Sequence, residues 1–93
     1  MPRPRLRRHV CIRPDVVYFK PRGIPLQALA TTELTSEEME AIWLSDYRGQ
    51  EQMAAAKHMR TSQSTFQRIL KSARAKIASA LVEGKAIAIQ QYN

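Results

Sequence analysis

The chain is poor in the residues that most often carry covalent or metal chemistry. It holds one cysteine, Cys11, and two histidines, His9 and His58, in 93 residues. A lone cysteine excludes an internal disulfide and fits a reducing compartment. Neither histidine has a Cys, Asp or Glu beside it at a spacing that would assemble a catalytic or metal-binding set, and His9 with Cys11 is at best a two-ligand fragment. Both are read as surface histidines, and the glutamates around Glu38 are read on periodicity as facing solvent. The three glycines are dispersed, so no glycine-rich loop is available to cradle phosphates. Enzymatic chemistry, a metal and a cofactor are therefore not expected. Long apolar runs are missing too: none approaches the roughly 18 residues that span a bilayer, and no apolar stretch follows the charged N-terminus. The expected setting is the cytoplasm, without a membrane partner. Aromatics are scarce, with only Tyr18, Phe19 and Tyr92 as candidates for base stacking, which disfavours an RNA-binding reading.

What is present is positive charge, unevenly placed. The net charge is +7, and such an excess favours polyanionic partners. Residues 1–22 carry Arg3, Arg5, Arg7, Arg8, Arg13, Lys20 and Arg22 against Asp15 alone. Residues 33–51 reverse the sign, with Glu33, Glu37, Glu38, Glu40, Asp46 and Glu51 against Arg48. From residue 52 onward seven bases oppose only Glu83. Two basic blocks thus flank an acidic one.

A chain of this length buries about 60 to 65% of its unfolded surface and supports one core, so 1–93 is read as a single domain. Residues 1–9 hold Pro2 and Pro4 among Arg3, Arg5, Arg7 and Arg8, which blocks helix and predicts an extended basic arm. Residues 10–34 are read as an irregular packing segment, with a short strand over Val10–Ile12, a loop at Val16–Phe19 and a short helix over Pro25–Ala30. Residues 35–84 form the helical core. Thr35 followed by Glu38 is a capping box that starts an acidic helix running from Ser36 to Tyr47, and Gly49 stops it. A second, short helix starts near Gln50, with Met53, Ala56 and Met59 as its buried side. Ser62 is the N-cap of a third helix, 62–83, whose apolar stripe is Phe66, Ile69, Leu70, Ala73, Ile77, Ala80 and Leu81 and whose end is Gly84. Alternation at Ala86–Ile89 predicts a strand within the tail 85–93, paired with Val10–Ile12.

Two helices joined by a short turn, the second long and amphipathic, have the layout of a helix-turn-helix, whose second helix enters the major groove of DNA. Gln63, Gln67 and Arg68 open the outer face of the third helix, and Gln and Arg match adenine and guanine edges bidentately, so these three are the expected base readers. Ser62, Ser64, Thr65, Lys71 and Arg74 are expected at phosphates, and Lys76 lies further along. The arm residues Arg3, Arg5, Arg7 and Arg8 suit the minor groove, with a solubility tail as the competing reading. A solvated helix face in a generic bundle is the bland alternative, although such faces mix charge signs more evenly.

The segments MPRPR at the start, YFKPRGIP at 18–25, ELT at 33–35 and STFQRILKSARAKIASALVEGKAI at 64–87 resemble a family of small prokaryotic proteins predicted to bind DNA. The resemblance implies a mainly α, sigma-region-4-like helix-turn-helix domain without a wing and a role in transcription regulation. Such domains also bind transcription machinery, so the alternative function is a protein-interaction module acting through the acidic helix 36–47. Two departures stand out: Arg60 occupies the turn position that relatives fill with glycine, and Thr61 follows where valine is usual. Glycine tolerates positive φ, whereas arginine does so at a cost. A domain this small reads few base pairs. Homodimerisation through Ile87 and Ile89, or through Leu81 and Val82, would set a second reading helix about 34 Å away.

Overall fold

The computed structural model describes residues 17–90. The basic arm and the strand expected at Val10–Ile12 lie outside the described residues. In chain order the elements are β1 (Tyr18–Phe19), a single 3-10 turn (Leu26–Ala28), β2 (Thr31–Leu34), α1 (Ser36–Ile42), α2 (Gln52–His58), α3 (Gln63–Glu83) and β3 (Ala86–Ile89). α1 continues without a break into a π-helical segment, Trp43–Tyr47. The described residues are mostly helical, with one small sheet.

Side-chain caps start α1 and α3, and left-handed residues end α2 and α3. Thr35 Oγ1 accepts from the Glu38 N–H at 3.1 Å while Glu38 Oε1 accepts from the Thr35 N–H at 2.9 Å, which completes the reciprocal box. Ser62 Oγ accepts from the Thr65 N–H at 3.1 Å and so satisfies a free donor in the first turn of α3. Gly84, with φ +69°, ends α3, and the Lys85 N–H returns to the Ala80 carbonyl at 2.9 Å. α2 ends in the same way on an arginine. Arg60 has φ +58°, its N–H bonds the Lys57 carbonyl at 3.0 Å, and the Thr61 N–H bonds the Ala56 carbonyl at 3.0 Å. This pair of bonds is a Schellman motif, normally a glycine's position.

The apolar residues divide into two adjoining clusters. Ala41, Leu44, Ala55, Ala56, Met59, Phe66 and Leu70 lock α2 and the first half of α3 against α1 and its π-helical extension. Leu34, Ala73 and Ile89, with Val17, Met39, Ile42, Ile77 and Ile87 around them, seat the middle of α3 on the sheet.

The sheet differs from the expected terminal pairing. β3 is its central strand: it runs antiparallel to β1, with Tyr18 opposite Ala88, and parallel to β2, with Thr31 opposite Ala86 and Leu34 opposite Ile89. Residues 18–19 and 31–34 are therefore strand where irregular backbone was expected. The strand over Ala86–Ile89 is where the alternation places it. The expected helix at Pro25–Ala30 shrinks to the 3-10 turn capped by Pro25.

Three burial expectations fail. Met53 is 70% exposed, since Ala55, Ala56 and Met59 are the residues at the end of α2 that turn into the core, and Leu81 is 76% exposed although its neighbour Ala80 is buried. Glu38 and Glu40, expected toward solvent, are buried at 6% and 0% exposure. Both sit on the side of α1 that meets other elements; hydrogen bonds from Ser72 and Lys76 replace the water Glu38 loses, while Glu40 Oε2 lies 3.6 Å from His58 Nε2.

Candidate nucleic-acid interface

α2, the four residues 59–62 and α3 form two helices joined by a tight turn, and the outward face of α3 is where the candidate residues lie. Gln63, Ser64, Gln67, Arg68 and Lys71 are exposed there, over the apolar side marked by Phe66, Leu70 and Ala73. Helical spacing explains the division: positions 66, 70 and 73 repeat every three or four residues, and the polar set occupies the remaining arc.

The side chains differ in how far they are already engaged. Ser62 is tied into its own cap and also donates to Thr65 Oγ1 at 2.9 Å. Gln67 Nε2 donates to Gln52 Oε1 at 2.5 Å, a bridge from α3 to α2 that fixes the amide's orientation. Among the described residues, Gln63, Arg68 and Lys71 have no side-chain partner.

One turn further on, the cations are neutralised. Arg74 makes a two-pronged contact with Asp46, Nε to Oδ2 at 3.1 Å and Nη2 to Oδ1 at 2.5 Å. The Arg74 hydrogen bonds outweigh burial and hold the Asp46 carboxyl below its ordinary range, while the same contact raises the guanidinium of Arg74. Lys76 Nζ reaches Glu38 Oε1 and the Glu33 carbonyl oxygen, both at 2.8 Å. Burial alone pushes the Glu38 carboxyl up, but hydrogen bonds from Lys76, Ser72 and the Thr35 N–H, together with the Lys76 charge, hold it below its usual value. The acids of α1 and its π-helical extension thus cancel the C-terminal cations of α3. Among the described residues, the basic side chains of α3 without a partner, Arg68 and Lys71, lie in its N-terminal turns.

Two exposed cations in this region were not among the expected contacts: Lys57, on the last turn of α2, and Arg60, in the turn. Their signal in the sequence was position, one turn before the Ser62 cap, since nothing in their spacing marks them. Arg48 is a third, stacked 5.1 Å from the centroid of the Trp43 ring. The expected arm contacts Arg3, Arg5, Arg7 and Arg8 lie outside the described residues.

His58 has the acidic neighbour that chain distance concealed. Its Nε2 lies 3.6 Å from Glu40 Oε2, with the Trp43 ring edge-on at 6.3 Å between centroids. This places it at a helix junction instead of on open surface. Among the described residues no three His, Cys, Asp or Glu side chains converge as a metal site requires, and no helix is long and apolar enough to cross a membrane.

The fold and the site define a class: a mostly helical domain mounted on a small mixed sheet, with a basic outer face on its longest helix. The chain belongs to the family described as "Protein of unknown function DUF134", whose profile matches residues 1–92. It is similar to "UPF0251 protein TTE1845" of Caldanaerobacter subterraneus subsp. tengcongensis, 54% identical over 93 residues, covering 100% of this chain and 79% of the relative. A "UPF0251 protein" of Desulfosudis oleivorans is 47% identical over 93 residues, covering 100% and 67%. "UPF0251 protein DET0218" of Dehalococcoides mccartyi is 50% identical over 90 residues, covering 97% and 77%. No solved structure matches the chain.

Proposed function

We propose that this protein is a transcriptional regulator that binds double-stranded DNA in a sequence-specific way, with the first turns of α3 in the major groove. The observation that carries the reading is the distribution of partners along α3. Gln63, Arg68 and Lys71 are exposed without partners among the described residues, whereas Arg74 and Lys76 are held by Asp46 and Glu38. Arg68 and Gln63 carry the bidentate donors and acceptors that base edges match, and Lys71 suits a phosphate. Gln67 reads a base only by leaving Gln52 or by using its remaining donor and acceptor capacity. Arg74 reaches phosphate only by exchanging Asp46. The helix-turn-helix of sigma region 4 is the architecture this reading assigns to α2, the turn and α3.

The test is selection of genomic fragments by the purified full chain, followed by titration of the enriched duplex over a salt series. Neutralising about 4 to 6 phosphates gives a slope of log affinity against log salt of roughly −4 to −5. Arg68→Ala is expected to weaken the preferred duplex by about 1 to 3 kcal/mol and to flatten sequence preference. Lys71→Ala weakens all duplexes alike and reduces the slope by about 1. Failure to enrich any motif, with specific retention of a purified polymerase subunit, refutes the reading and selects the interaction module. That alternative depends on acids of residues 36–47, of which Glu38 and Glu40 are buried and Asp46 is paired with Arg74.

A further inference from the structure

We infer that Arg60 is a phosphate-contacting residue, kept in a backbone conformation that disfavours it; the inference rests on the DNA-binding reading above. Arg60 is the only non-glycine residue with positive φ among the described residues, at +58°. In that region an L residue's Cβ crowds the neighbouring carbonyl oxygen, which glycine avoids. The turn itself asks nothing of the side chain, because both closing hydrogen bonds, Arg60 N–H to Lys57 and Thr61 N–H to Ala56, come from the backbone. The guanidinium is exposed and has no partner among the described residues. Local strain of this kind persists where the side chain has a use.

Position indicates the use. Arg60 stands two residues before the Ser62 cap, off the face of α3 that carries Gln63 and Arg68. Lys57, also exposed and without a described acid partner, lies on the turn of chain just before it. A helix that enters the major groove by its N-terminal turns passes between two phosphate strands. Cations in the preceding turn address the strand flanking the groove and not a base edge, and they add affinity without sequence preference.

The test compares wild type, Arg60→Gly and Arg60→Lys in the full chain, by thermal melting without DNA and by titration of the selected duplex over a salt series. Losing one phosphate contact lowers affinity about eightfold at 0.1 M monovalent salt and reduces the slope by about 0.9. Arg60→Gly should therefore bind about eightfold more weakly yet melt roughly 3 to 6 °C higher, because the strain is removed. Arg60→Lys keeps the charge and the strain and should match wild type in both. If wild type binds and Arg60→Gly binds equally tightly with an unchanged slope, the phosphate role is overturned while the DNA reading stands. A lower melting temperature for Arg60→Gly overturns the strain argument. If wild type binds no duplex at all, both the function and this inference fall.

Discussion

Replacing Glu38 by glutamine separates charge from capping at the junction that holds α1 to α3. The amide keeps an oxygen for the Thr35 N–H, now 2.9 Å from Glu38 Oε1, so the capping box survives. What is lost is the negative charge facing Lys76 Nζ at 2.8 Å and the Ser72 hydroxyl at 2.5 Å. A charge-assisted hydrogen bond contributes about 1.5 to 3 kcal/mol, against about 1 for a neutral one. Lys76 is 33% exposed at its side chain and keeps part of its hydration in the variant, which puts the cost of Glu38→Gln near 1.5 kcal/mol. Glu38→Ala removes the reciprocal cap bond as well, adding about 1 kcal/mol. Against a total stability of about 5 to 14 kcal/mol for a domain of this size, either loss is readily measured. Urea unfolding followed by helical circular dichroism is the assay.

The pH dependence supplies the sharper criterion. The folded Glu38 carboxyl lies below its ordinary value of 4.5, so its contribution is complete above that value and disappears as pH falls through the lowered folded one. The gap between wild type and Glu38→Gln should be constant from about pH 6 to 8 and close in acid. Equal stability at neutral pH, or a gap that stays unchanged in acid, would refute the reasoning.

Two further outcomes follow from the same contacts. Ser62→Ala removes the acceptor for the Thr65 N–H and should destabilise the protein by about 1 kcal/mol in urea unfolding, while Ser62→Asp should retain the cap. Asp46→Asn releases Arg74 from an exposed pair, so stability should change by less than about 1 kcal/mol. Duplex affinity should instead rise, with a salt slope steeper by up to about 1; unchanged binding would exclude Arg74 from the phosphate set.

The helix boundaries were legible because they depend on local chemistry. A hydroxyl followed three residues later by glutamate, a serine before an apolar repeat and a glycine after it each fix a cap without help from distant residues. The turn at Arg60 carried no such local signal, since arginine stands where a glycine would mark it, and it was placed by the resemblance. The sheet was not, because β1 and β2 are two and four residues long and their partner, β3, lies more than fifty residues further along the chain. Nothing in the pattern of residues 18–19 or 31–34 encodes that register. The inward turn of Glu38 and Glu40 was hidden for a related reason: periodicity assigns charge to water, whereas Lys76 and Ser72 reach Glu38, and His58 approaches Glu40, from elements distant in the chain. The outward polar face of α3 was readable from spacing, but its division into engaged and unengaged cations depends on acids from α1 and its extension.

The parallel pairing of β2 with β3 has a kinetic meaning. It joins the residues just before α1 to those just after α3, so the whole helical unit is a loop closed by one strand contact. Loop closure over that separation is entropically unfavourable until the helices have drawn the ends together. The three helices are thus expected to collapse around Phe66 and Leu44 first, and the sheet to zip last. During synthesis, the strand that completes the sheet leaves the ribosome only after all of α3, so the second cluster, around Leu34 and Ile89, stays open until then.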